Sequence, residues 1–238
     1  MSKEATIEAK ALALRDHLLS QPQHPYTNNP WAVVDAIEAF ASGKAMMTFK
    51  RPKLALAQQA LAQQQPAPKT ILEFGTYVGS SAIAWGAILR ELHDADALRD
   101  CRVYTFELSP VTAGVARDLV RLAGLAEIVR VVEGPAAESL RRLFAAGEIA
   151  KGGVDMVFFD HWEEFYLPDL RLCEDLGLFR LGSLAIADNT DRPGAPAYLE
   201  YVRAGGREVR YETRSLEAQV DGNQPKIVEV STVVGLPV

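Results

Sequence analysis

From Lys69 onward the sequence alternates short β-type runs with longer helical segments, and this rhythm constrains the fold more than any other feature. The runs are TILEF (70–74), RVYTFE (102–107), EIVRVVE (127–133), VDMVFFD (154–160) and SLAIAD (183–188). Segments of helical composition separate or follow them over 79–93, 110–123, 135–146, 163–176 and 196–203. Neighbouring parallel strands need a long crossover, so strand, helix, strand at this repeat spells a parallel sheet covered on both faces. Two further strand candidates, GREVRYETR (206–214) and KIVEVSTVV (226–234), close the chain. They are joined through VDGNQP, where the pair Asp221 and Gly222 favours a hairpin-like return and hence an antiparallel last strand. Ala/Leu-rich segments with helical spacing come first, over 4–19, 31–41 and 54–62, with loop-like stretches at 21–30 and 63–68. The expectation is one α/β domain over 1–238. It has a doubly wound, Rossmann-like, seven-stranded and mostly parallel sheet over 67–238, with 1–66 as an N-terminal helical cap or lid.

Charge and cysteine usage narrow the chemistry. The 25 basic and 31 acidic residues leave a net charge of −6 with no basic patch, which disfavours a nucleic-acid partner. Two cysteines, Cys101 and Cys173, exclude a disulfide scaffold and Cys-rich zinc patterns. The four histidines are never closely paired, so any metal would be held by oxygen. The N-terminus lacks the apolar core of a signal peptide, and 71–89 is too polar and glycine-broken to span a bilayer. A soluble, cytoplasmic protein with no membrane partner is expected, as a monomer or homodimer.

Four strand ends carry candidate site residues. The first strand runs into Glu73-Phe-Gly75-Thr-Tyr77-Val-Gly79-Ser-Ser81. Glycines let the backbone turn tightly and approach a ligand, and the following helix offers free N–H groups to an anion. The third glycine of the dinucleotide pattern is missing. An acid followed by G-x-x-x-G suits a ligand with both a positive charge and a carboxylate, and S-adenosylmethionine has both. Glu107 ends the second strand, where an acid can accept both ribose hydroxyls of a nucleoside or a dinucleotide. The fourth strand ends in Asp160-His161-Trp162 and the fifth in Asp188-Asn189. If these strands are neighbours, Asp160, Asp188 and Asn189 converge as three hard oxygen donors, a set suited to Mg2+. The competing reading is that each Asp caps the next helix.

From Thr70 to the C-terminus the chain resembles the catechol O-methyltransferase family. The stretches DMVFFDHW (155–162), YLPDLRLCEDLGLF (166–179), LAIADN (184–189) and PGAPAYLEYVR (193–203) follow family segments in order and spacing, with SLEAQVDG (215–222) near the end. The N-terminal helices fit less well. The resemblance implies a class I methyltransferase fold and transfer of a methyl group from S-adenosylmethionine to one hydroxyl of a Mg2+-chelated, catechol-type small molecule. It implies Asp160, Asp188 and Asn189 as metal ligands. Glu73, Gly75, Tyr77, Gly79 and Ser81 would surround the methionine part, with Glu107 at the ribose and His161 at the adenine. Trp162 and Pro193 would wall the acceptor ring, and Glu217 would bond the oxygen that is not methylated. Without the family spacing, His161 reads as a satisfied turn residue, Trp162 as core, Pro193 as loop stiffening and Glu217 as a solvated charge.

The chain departs from the family at four places. Where the family has a proton-accepting lysine after Trp162, this chain has Glu163 and then Glu164. Acids favour the first turn of a helix, but Glu163 could also serve as the base, though a carboxylate is a weaker base than an amine. The alternative is an S-adenosylmethionine-binding homologue with weak or lost transfer. After Met46-Met47 the family's glycine-rich loop is replaced by TFKRPKLA (48–55). Ala136-Ala137 stand where polar side chains meet the adenine edge. Thr190-Asp191-Arg192 replace apolar residues beside the acceptor, and Arg192 facing the pocket would pair with a carboxylated catechol.

Overall fold

Among the residues that the computed structural model describes (3–22, 25–220 and 225–237), seven strands form one sheet. In chain order they are β1 (Thr70–Phe74), β2 (Arg102–Glu107), β3 (Val129–Glu133), β4 (Val154–Phe159), β5 (Phe179–Asp188), β6 (Arg210–Ala218) and β7 (Lys226–Gly235). Their order across the sheet is β3-β2-β1-β4-β5-β7-β6. The first five are parallel, and β7 inserts antiparallel between β5 and β6. The Asp221 and Gly222 pair lies outside the described residues. The helices are α1 (Lys3–Ser20), α2 (Pro30–Ala41), α3 (Arg51–Ala62), α4 (Ser80–Leu92), α5 (Pro110–Leu122), α6 (Ala136–Ala145), α7 (Tyr166–Asp175) and α8 (Pro196–Arg203).

Local chemistry sets several boundaries. Asn29 accepts from the Ala32 N–H at 3.3 Å with Pro30 at the first helical position, and Ser109 does the same for Val111 at 3.2 Å ahead of Pro110. Three expected boundaries move. The fifth strand begins at Phe179 rather than 183, because Val154 already pairs with Phe179 across a register shift. The sixth spans Arg210–Ala218 rather than 206–214, since Gly205 and Gly206 both have φ near +70 to +84° and turn the chain there. The segment from Glu163 opens with a 3-10 turn (Glu163–Phe165) before α7 begins at Tyr166.

Strand residues alternate between two cores. Ile71, Met156, Phe158, Leu184 and Ile186 pack with α1 to α5, whereas Leu72, Phe74, Val157, Phe159 and Ala187 pack with α6 to α8. By the same period of two, Glu73 and Asp188 face the side of α3 and α4. That assignment decides what reaches them.

Candidate active site

Strand register assembles the acidic corner. Phe159 pairs with Ala187 across β4 and β5, so the next residues, Asp160 and Asp188, end adjacent strands about 5 Å apart. Asp188 is 2% exposed, and its Oδ2 is ion-paired with the Nζ of Lys53 in the first turn of α3. Lys53 is itself buried and lies 4.9 Å from the ring centre of Phe49. The other Asp188 oxygen, Oδ1, is buried without a hydrogen-bond partner. Burial raises the Asp188 carboxyl above its ordinary value, and Lys53 opposes the rise. Asp160 is raised well above the ordinary carboxylate range, first by burial and then by the charge of Asp188, with Glu73 and Glu163 adding and Lys53 subtracting. One ammonium therefore faces two adjacent carboxylates. Asn189, next in line, holds a left-handed backbone at φ +53°. Among the described residues no three His, Cys, Asp or Glu side chains stand together as a metal group. The donor set is two carboxylates and an amide, and with an orphaned carboxylate oxygen it fits a hard divalent cation.

The turn after β1 carries the second half of the site. Gly75 has φ +100°, and a Cβ there would collide with the Asp160 carbonyl oxygen and stand 2.8 Å from its carbon, so the two loops meet backbone to backbone. Tyr77, with φ +50°, donates its N–H to Glu107 Oε2 at 2.7 Å, and Ser109 N–H donates to Oε1 at 3.0 Å. Glu107 thus ties its own turn to the glycine turn while remaining partly exposed. The Tyr77 hydroxyl is pushed up to about 12 by burial and the charge of Glu107. Gly79, at φ +82°, leads into α4, where Ser80 Oγ is buried with no partner. Glu73 is completely buried beneath this turn. It accepts from Trp85 Nε1 at 3.1 Å and from Thr105 Oγ1, with Ser81 also bonded to it. Its placement supports the loop from below; its side chain offers no exposed surface.

The remaining sequence candidates line the same edge of the sheet. His161 bonds Asp169 through Nε2 at 2.8 Å, stacks on Tyr166 at 5.3 Å, and keeps a buried Nδ1 without a partner. Trp162 is not core: it is 53% exposed, with Lys3 of α1 lying 4.6 Å over its ring. Glu163 starts the 3-10 turn, close enough to Asp160 for its charge to act there. Pro193 and Arg192 are exposed on the turn after Asn189. Glu217 is exposed opposite Ile227, one residue past the row in which Val228 pairs with both Asp188 and Leu216. Met47 is exposed near the start of this region. Two residues escaped sequence reasoning. Asp169 lies eight residues beyond His161, and the two meet across the 3-10 turn at Glu163–Phe165, which no local pattern marks. Lys53 belongs to the glycine-free segment 48–55, and nothing in KRPKLA marks one lysine as buried.

A glycine turn after β1, acids ending β2 and β5 and an acid after β4 gather along one edge of the sheet, beyond the carboxyl ends of the strands where parallel α/β sheets bind ligands. A family model described as a methyltransferase domain matches residues 72–189. Catechol O-methyltransferase of Bos taurus is 35% identical over 200 residues, covering 84% of this chain and 68% of the relative. The Sus scrofa catechol O-methyltransferase is 39% identical over 144 residues, covering 60% of this chain and 72% of the relative. An O-methyltransferase from Bacillus cereus in complex with SAH has the same fold, with a TM-score of 0.65 and 22% identity, over 94% of this chain and 97% of that one. The chain belongs to the catechol O-methyltransferase family and is an S-adenosylmethionine-dependent O-methyltransferase. No helix among the described residues is long and apolar enough to cross a membrane.

Proposed function

We propose that this enzyme methylates one hydroxyl of a catechol-type aromatic small molecule, held with Mg2+ at Asp160, Asp188 and Asn189. The observation that carries the reading is the buried, unpartnered Asp188 Oδ1 beside a second carboxylate. When bound, S-adenosylmethionine supplies the electrophilic methyl and leaves as a neutral thioether, and Mg2+ lowers the pKa of a hydroxyl that it chelates. The chain's own residues do the rest. The turn over Gly75, Tyr77 and Gly79 and the start of α4 at Ser80 and Ser81 hold the methionine part. Ser80 Oγ is buried and unsatisfied there, as a donor awaiting a carboxylate would be. Glu107 keeps lone pairs for the ribose, and His161 borders the adenine. Trp162 and Pro193 wall a flat ring at the exposed mouth. Glu217 accepts a hydrogen bond from the second hydroxyl. Glu163 takes the proton released by the attacked hydroxyl, in the place of the family's lysine. Alignment accounts for most of the rate in such an in-line displacement, so a weak base can suffice. Helices α1 to α3 cap the site: Glu8 of α1 accepts from Ser109 Oγ at 2.7 Å, next to Glu107.

The test is transfer of labelled methyl to a panel of catechols, with Mg2+ added or chelated. Transfer that needs both Mg2+ and vicinal hydroxyls supports the reading. Transfer to monophenols, or transfer indifferent to chelation, overturns it. Cofactor binding without any transfer would favour the second reading, a homologue whose activity was lost with the lysine; the acid at Glu163 is the observation in its favour.

A further inference from the structure

Lys53 has no role in the reading above, yet it is a charged side chain driven into the acidic corner. It is 6% exposed, enters from the first turn of α3, and pairs with one oxygen of Asp188 while the other stays unpartnered. A buried ammonium persists only when paired, and the Lys53 Nζ here also lies 4.9 Å over the ring of Phe49. Like charges resist being packed close, and Asp160 and Asp188 end adjacent strands without a second cation among their described contacts. From this geometry we infer that Lys53 is a built-in rival cation. It neutralises Asp188 when the divalent ion is absent and weakens the affinity of the site for that ion. The inference rests on the proposed metal site.

Two consequences distinguish this from a merely structural ion pair. First, removing the ammonium restores a full negative charge to the donor set, so the divalent ion binds more tightly, because charge count governs affinity at oxygen sites. Second, the metal-free protein without Lys53 is left with two uncompensated carboxylates. It loses stability, and the metal returns it. An ion pair serving only to pin α3 would predict a loss of stability that metal does not repair.

The experiment uses the full chain, stripped of metal and without cofactor. Mg2+ and Mn2+ are titrated by calorimetry and by Mn2+ paramagnetic resonance, and melting temperature is followed over the same range. The parent, Lys53→Met and Lys53→Gln are compared, the second variant serving if the first fails to fold. The expected result is a midpoint at least tenfold lower in either neutral variant, equivalent to about 1.4 kcal/mol. Melting temperature should be lower than the parent's without metal and recover on saturation. An unchanged or higher midpoint, with the parent clearly binding the ion, overturns the inference and leaves the metal reading intact. Absence of binding to the parent and to both variants overturns the metal reading and this inference together.

Discussion

Replacing Glu73 with glutamine should remove a pH dependence of stability that the parent carries. Glu73 sits on β1 with no exposed surface, and burial raises its carboxyl from 4.5 to about 7, against the hydrogen bonds of Ser81, Thr105 and Trp85. The folded chain therefore holds this proton more tightly than the unfolded chain does. The stabilising contribution is complete below 4.5 and is lost as pH rises through 7. At 1.36 kcal/mol per pH unit, the contribution lost between pH 5 and pH 8 is about 2–3 kcal/mol. For a domain of this size that corresponds to roughly 5–10 °C in melting temperature. Glutamine stays neutral throughout and can still accept from Trp85 Nε1. Urea unfolding of metal-free, cofactor-free protein at pH 5, 6, 7 and 8 measures the effect as the difference between parent and Glu73→Gln. That difference should shift in favour of the variant as pH rises. A difference that is flat from pH 5 to pH 8 would refute the claim that burial holds Glu73 in its neutral form.

Three other substitutions probe separate parts of the site. Gly75→Ala forces a Cβ against the Asp160 carbonyl at a backbone angle that L-residues rarely adopt, and should cost about 3 kcal/mol or more. Cofactor affinity should fall at least tenfold by calorimetry, and parent-like affinity would show that the close approach of the two loops is dispensable. Glu163→Gln should lower turnover while leaving cofactor affinity within about twofold, and equal turnover would remove Glu163 from proton transfer. Arg192 is exposed on the turn after Asn189, and its predicted partner is an acidic acceptor. Turnover of a carboxylated catechol should drop several-fold in Arg192→Ala relative to a neutral one, and an unaltered ratio would discard that contact.

Much of the site could be read from the chain because it lies at strand ends. A parallel sheet places the residues after β1, β2, β4 and β5 along one edge whatever the helices do, so Gly75, Glu107, Asp160 and Asp188 converge by topology. Harder to read were residues whose role depends on exposure. Trp162 has an ordinary apolar side chain, and only the 3-10 turn at Glu163 leaves it at the surface with Lys3 above it. Glu73 carries the same carboxylate as Glu107, yet one lies under the loop and the other at its rim. Their strands are in register, and Glu107 stands one row beyond Phe74 and Phe106, past the cover of α4.

The sequence by itself determined the alternation of strands and helices, the glycine turn, the acids at strand ends and the family resemblance. Each is local or follows from the order of parallel strands. The tertiary structure decided which face of the sheet each acid meets. The period of two puts Asp188 on the side covered by α3, and the docking of α3 there brings Lys53 to a residue 135 positions away. No local pattern encodes that contact, because it arises from how separate apolar faces pack over one sheet. It also leaves Asp188 with one oxygen paired and one open.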